Sequence, residues 1–377
     1  MKRKINEILS LILIILMISG CAYYETEDTI SKTPVGTSRN PAADENNDNT
    51  LSEVESDQDR DIDFDNDSNN SAENQTKPDP SNNEPQYTNF IDGIPVVFFT
   101  SEITPESLIT IYRALGVEPT GNIAIKVHTG EPPNSNYLRP VLIGDLIRLI
   151  DGTIVETNAV AGLRASNAMH MQVAKDHGFL DLAPFDLLDA DGEVSLPINV
   201  GEVLTEVYLG ANFFDYDYYV VLSHFKGHGS AGYGGAIKNL AIGLASAPGK
   251  SLIHSGGVRR RGYTGDQDMF LKGMAEASYS IIEYLDGNLL YINVMNRLSV
   301  DCDCIGNPTE PDMHDIGILA SLDPVALDQA CIDLVYAAPD GASLVRRIEA
   351  RNGILTLEHA AAIGLGSREY ILVSIDD

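Results

Sequence analysis

Tyr218-Tyr-Val-Val-Leu-Ser-His-Phe-Lys-Gly-His-Gly-Ser-Ala-Gly-Tyr-Gly-Gly-Ala-Ile-Lys-Asn239 is the stretch that decides the fold class. Its first five residues are apolar, aromatic or β-branched, as in a strand buried on both faces. Glycines 227, 229, 232, 234 and 235 then break the strand, and a helix starts from Ala236. A strand that enters a helix through a polar, glycine-rich loop is the unit of a parallel α/β sheet. In such sheets ligands lie at the carboxyl ends of strands, which places His224, Lys226, His228 and Lys238 for chemistry. Gly234 and Gly235 let a cofactor approach the backbone closely, and the amides entering the helix are suited to an anion. The bland alternative is a tight glycine turn with its charges in solvent. Lysine, however, is almost never fully buried without a partner, so two histidines and two lysines here are poorly explained as packing.

Outward from this segment the same alternation continues. Ile94–Phe99, Ile123–Val127, Thr153–Thr157, Leu289–Val294, Asp315–Leu319 and Tyr370–Val373 read as further short strands. Pro105–Leu115, Arg139–Ile150, Asn167–His177, Asp268–Tyr284, Pro324–Ala337 and Ala342–Arg351 carry apolar residues three and four apart, the helical period. The expectation is an α/β fold, a mainly parallel sheet with flanking helices over residues 87–377. About 290 residues allow one large domain or two lobes.

Residues 1–86 are of a different kind. Met1-Lys-Arg-Lys is basic, Ile8–Gly20 is an apolar run too short to span a bilayer, and Ser19-Gly20 precedes Cys21. This is the pattern of a lipoprotein signal peptide (residues 1–21). Acylation of Cys21 would tie the chain by its lipid to the extracytoplasmic face of the cell membrane. Residues 22–86 are rich in Asp, Asn, Ser, Thr and Pro, with too few apolar side chains to offset ordering entropy, and read as a disordered acidic linker. The formal charge of −30 and the lack of any Lys/Arg cluster argue against a nucleic-acid partner.

Two more polar groups stand out. Lys126-Val-His-Thr-Gly-Glu follows a strand and leads to Arg139: His128 suits acid–base work, Glu131 a ligand or base, and Arg139 a fork for a carboxylate or phosphate. A plain turn into a helix explains the same residues as well. Asp301-Cys-Asp-Cys304, with Asp312-Met-His-Asp beyond it, offers Cys302, Cys304 and His314 to a transition metal. The one-residue gap between the thiols matches no standard zinc or iron–sulfur spacing, so a redox role for the pair stays open. Cys331 lies on the apolar face of a helix and reads as core.

Lys126-Val-His-Thr-Gly-Glu, Ser223-His-Phe-Lys-Gly-His, Gly234-Gly-Ala-Ile-Lys-Asn-Leu and Asp301-Cys-Asp-Cys together resemble domain-of-unknown-function family 362, over residues 90 to 377. Many members carry a ferredoxin-like insert after the segment that here reads Gly249-Lys-Ser-Leu-Ile-His-Ser. This chain has only Gly256-Gly-Val-Arg-Arg-Arg-Gly-Tyr in that place, so no four-cysteine iron–sulfur cluster is expected. The glycine-rich loop is also distantly similar to that of nickel-pincer lactate racemases. That likeness implies His228 as a proton or hydride partner, Lys238 as the anchor of a lysine-linked nucleotide, and His254 as a ligand to nickel or zinc. Export in the unfolded state opposes a nucleotide cofactor, which a chain folding outside the cell would not meet. Three functions follow as expectations: a metal- or cofactor-dependent enzyme acting on a small anionic molecule, a non-catalytic lipoprotein binding a ligand or metal, or a redox partner using Cys302 and Cys304.

Overall fold

Short, doubly buried strands can satisfy their backbones only side by side, and here they do so in one sheet. The computed structural model describes residues 88–258, 261–263 and 265–376. The signal-peptide, Cys21 and linker expectations lie outside the described residues. Strands are β1 (Phe90–Ile91), β2 (Ile94–Thr100), β3 (Ile123–Lys126), β4 (Thr153–Glu156), β5 (Phe185–Leu187), β6 (Glu193–Pro197), β7 (Glu206–Gly210), β8 (Tyr218–His224), β9 (Lys226–His228), β10 (Gly232–Gly234), β11 (Leu289–Met295), β12 (Gly317–Ser321) and β13 (Ile371–Ser374). Helices are α1 (Pro105–Ala114), α2 (Pro140–Ile150), α3 (Asn167–Asp176), α4 (Ala236–Leu244), α5 (Ala247–His254), α6 (Gln267–Tyr284), α7 (Pro324–Ala337), α8 (Ala342–Ala350) and α9 (Leu355–Ala362).

The sheet runs β1-β2-β12-β11-β8-β3-β4-β5, with β13 also on β2. Strands β11, β8, β3, β4 and β5 pair in parallel, while β12 is antiparallel to both neighbours. The fold is therefore α/β with a mostly parallel sheet. The described residues belong to one compact unit rather than two lobes.

Alternation along the strands builds a core on each face. In β8, Val220 and Leu222 pack towards α1 and α2 with Ile125, Ile154 and Ile292. Tyr219 and Val221 point the other way, into a cluster with Ile237, Leu240, Met274 and Leu327 of α4, α6 and α7. Each such buried aliphatic side chain contributes about 1.5–3 kcal/mol. A carboxylate at Val221 would leave an unpaired charge in the larger core. Proline opens α1, α2 and α7, where a missing N–H costs nothing, and Asp323 caps α7 by accepting from Val325 and Ala326.

The glycine-rich segment after β8 is more ordered than a loop. β9 and β10 form a small hairpin in which Gly232 faces His228 and Gly234 faces Lys226. The β6–β7 hairpin was not legible, because Glu193-Val-Ser-Leu-Pro is partly exposed, polar and ends in proline. Among the described residues no helix is long and apolar enough to cross a membrane.

Candidate functional site

The carboxyl ends of four adjacent strands, β4, β3, β8 and β11, converge, and the titratable side chains converge with them. β3 ends at Lys126, two residues before His128; β4 ends at Glu156; β8 ends at His224; the loop after β11 carries Cys302 and Cys304. Two adjoining cavities lie there. The narrower is lined by His128, His224, Lys226, Lys238 and Cys302, and the wider by His128, His228, Lys238, Lys250, His254 and Cys304, among others. They share His128, Lys238 and Asn239 and form one cleft.

Its floor is a set of buried ion pairs. Lys126, 0 % exposed, donates to Glu156 (3.0 Å), to Asn239 Oδ1 (3.1 Å) and to its neighbour's carbonyl, that of Val127. Glu156 also accepts from the Thr129 amide (2.9 Å) and lies 3.6 Å from Arg164, which in turn pairs with Glu131 (3.1 Å). Burial alone would raise the Glu156 carboxyl, but the charges of Lys126 and Arg164 hold it well below the usual range.

A second clamp explains the strand-end motif. His224 donates from Nδ1 to Asp303 (2.9 Å) and from Nε2 to the Asn296 carbonyl (2.6 Å). A ring that donates twice has no free nitrogen for catalysis or a metal. Lys226 reaches the same carboxylate at 2.9 Å and the His224 carbonyl at 2.9 Å. His224 and Lys226, expected as catalytic, are thus positioning residues: they hold Asp303, the residue between the two cysteines. Burial disfavours the Asp303 charge, yet its contacts with His224 and Lys226 keep its carboxyl far below the ordinary range.

The thiols so placed sit beside His228. Cys302 accepts from the Cys304 amide (3.3 Å), and Cys304 Sγ lies 3.8 Å from His228 Nε2. Proximity of Cys304, Lys238, Lys226 and His228 draws the Cys302 thiol well below its usual value, while Cys304 is pushed up as the partner that keeps the proton. Ligand atoms of His228, Cys302 and Cys304 all lie within 4.8 Å of one another, a group compatible with a transition metal. His228 Nδ1 accepts from the amides of Ser230 (3.1 Å) and Ala231 (2.9 Å), which leaves the ring proton on Nε2. A metal bound at Nε2 would displace that proton, so metal uptake there is coupled to proton release.

The remaining imidazoles are neutral. Burial first, then Lys238, lowers His228 to about 4. Burial, with Arg164 nearby, takes His128 well below its ordinary value, and its Nδ1 accepts from Gly130 N–H (3.1 Å). His254 is lowered by burial and by the charges of Lys238 and Lys250. It ends α5, stacks on Phe270 (4.3 Å between centroids) and makes no hydrogen bond among the described residues. Lys238 likewise has no hydrogen bond or ion pair among the described residues.

Several expectations are corrected. Arg139 lines neither cavity; its guanidinium lies over the Tyr137 ring (4.6 Å) and donates to that hydroxyl. His314 pairs with Asp340 (2.7 Å) at the surface and joins no ligand group. His254 shares the cleft with the thiols but not their ligand-distance group. The amides at the start of α4 do not await a ligand: those of Ala236 and Ile237 donate to Asp328 (2.7 and 3.1 Å). Gly235 lines the narrower cavity, but the place its side chain would take is filled by protein, as it is at Gly227. A Cβ at Gly235 would stand 2.3 Å from Asp328 Oδ1, and one at Gly227 2.3 Å from the Val300 carbonyl. Gly234 does lie on the cleft wall, beside the Lys238 stem. Sequence reasoning missed Glu156, Arg164, Asn239 and Lys250; the carboxyl end of Thr153–Glu156 was the one available signal.

A family model described as "Domain of unknown function (DUF362)" matches residues 123–333, more than half of the chain. The chain belongs to this family. That span holds both clamps, the thiol pair and the four cleft imidazoles of this DUF362 protein. No curated protein matches it. Among solved structures it is weakly similar to the lactate racemase apoprotein of Thermoanaerobacterium thermosaccharolyticum, with 14% identity, a TM-score of 0.39, and 64% of this chain and 56% of that chain covered. A Thermotoga maritima structural-genomics protein shows 12% identity, a TM-score of 0.34, and coverage of 70% and 60%. The DUF362 chain therefore spans under two thirds of either structure's length.

Proposed function

We propose that this protein is a lipid-anchored, extracytoplasmic enzyme that moves a proton on a small anionic substrate, with a transition metal held at Cys302, Cys304 and His228. The observation that carries it is the juxtaposition of Lys238, unpaired among the described residues, with three neutral imidazoles in one cleft. Lys238 supplies charge for the anion. His254, whose ring no hydrogen bond among the described residues ties to one tautomer, is the base. His128, held with Nδ1 as acceptor, presents an N–H group that donates to developing negative charge, while His228, whose Nδ1 is likewise taken, gives Nε2 to the metal. Two thiols and an imidazole are a donor set suited to zinc or nickel. The N-terminal sequence supports the lipid anchor on Cys21 and the extracytoplasmic location.

The test is made on full-length protein from its source membrane. Elemental analysis should find a transition metal that is lost in Cys302→Ser. Intact mass under denaturing conditions, with Lys238→Ala as control, reports whether any group is bound to that lysine. Small anions incubated with the protein in D2O should gain solvent deuterium, and His254→Gln should abolish this while keeping anion binding. Anion binding without any exchange would instead establish a non-catalytic binding lipoprotein.

A further inference from the structure

Charge accounting across the cleft leaves a remainder. Lys126 is matched by Glu156, Arg164 by Glu131 and Lys226 by Asp303. Lys238 has no partner among the described residues. Lys250, only 8 % exposed, donates to Thr157 Oγ1 and to the carbonyls of Asn158 and Ala245 (2.8 Å each). All three acceptors are neutral. An amine facing three acceptors uses three protons and is an ammonium, yet no carboxylate stands within 4.0 Å of it among the described residues. Both lysines line the wider cavity, which offers about 100 Å³ to a ligand. A buried cation without a counter-charge is costly, and two in one small cavity repel each other besides. This happens in a chain with a formal charge of −30, so no general excess of lysine explains it.

We infer that the cleft binds a ligand carrying two negative charges, a phosphate monoester or a small dicarboxylate, contacted by Lys238 and drawn by the unbalanced charge of Lys250, whose own N–H groups stay on Thr157, Asn158 and Ala245. Asn239, Thr157, His254 and Cys304 line the same cavity as the two lysines. Burial lowers Lys250 to about 7, so the bound dianion also restores the charge that burial works against. The inference deepens the enzyme reading by naming its substrate class and rests on that reading for the identity of the cleft.

The test is calorimetric titration of the full-length protein with matched probes: methyl phosphate and inorganic phosphate, malonate and succinate, and the monoanions acetate and chloride. Dianions should bind about tenfold or more tightly than monoanions. Lys250→Met should remove most of that preference and leave acetate binding little changed. A phosphate advantage over malonate identifies the phosphate class, and the reverse the dicarboxylate class. Equal binding of acetate and malonate, equal loss of both in Lys250→Met, or no anion binding at all overturns the inference. The wild-type comparison needs no variant, so it stands even if Lys250→Met fails to fold. Dianion preference without deuterium exchange would sink the enzyme reading alone, and exchange on a monoanion bound as tightly as malonate would sink this one alone.

Discussion

Replacing Asp303 by Asn tests the clamp on which the thiol geometry depends. Asp303 is 1 % and Lys226 6 % exposed, so water screens neither charge. Asparagine keeps the shape but turns one acceptor into an N–H group aimed at a donor, and it leaves the Lys226 ammonium and the twice-donating His224 uncompensated. Removing one partner of a buried pair costs about 3–5 kcal/mol. At roughly 2 °C per kcal/mol for a domain this large, the unfolding midpoint should fall by about 6–10 °C. The native carboxyl is held below its ordinary range, so its contribution is present above about pH 4 and disappears as pH falls through the depressed folded value. The variant should lose that acid dependence. Because Asp303 sets the neighbouring cysteines, alkylation of Cys302, itself 1 % exposed, should accelerate when followed by intact mass. A midpoint within about 1 °C of wild type, with unchanged Cys302 alkylation, would show that His224 and Lys226 do not position this loop.

Asp328 has the opposite sign. Burial raises its carboxyl to about 6, so the folded state favours the proton; its contribution is full below about pH 4 and is lost as pH rises through 6, some 3 kcal/mol in all. Urea unfolding from pH 4 to 7 should show this decline, and Asp328→Asn should flatten it. Gly235→Ala forces a Cβ to 2.3 Å from that carboxylate and should destabilise the chain by about 2 kcal/mol or more, read as a lower urea midpoint. At Lys250, Asp189 and Glu156 raise the value that burial, Lys126 and Arg164 depress to about 7. Malonate affinity should therefore weaken as pH rises above 7, by up to about tenfold per unit, with Lys250→Met losing the slope in calorimetry.

What the sequence by itself determined is the part governed by local chemistry. Strand β8 is evident in Tyr218–Leu222 because a doubly buried strand needs an unbroken apolar run, and α1 and α7 because proline, a capping residue and a 3.6-residue period are all local signals. The strand-end position of His128, His224 and His228 follows from the same reading, as does the place of the last two in the glycine-rich segment; the pairing of β3 with β8 brings His128 to them. Only the tertiary structure decided which of these groups are free. His224 and Lys226 look as reactive as His228 in one dimension, but Asp303, some 80 residues on, consumes both. Asp328, about 90 residues from Gly235, takes the helix amides that invited a ligand. Conversely, Lys250 carries no motif and matters because folding sets it in the cleft without a carboxylate. Hydrogen-bond saturation and charge pairing are set by long-range neighbours, and that is why residue type and spacing mark the region of the site while the fold determines each side chain's role.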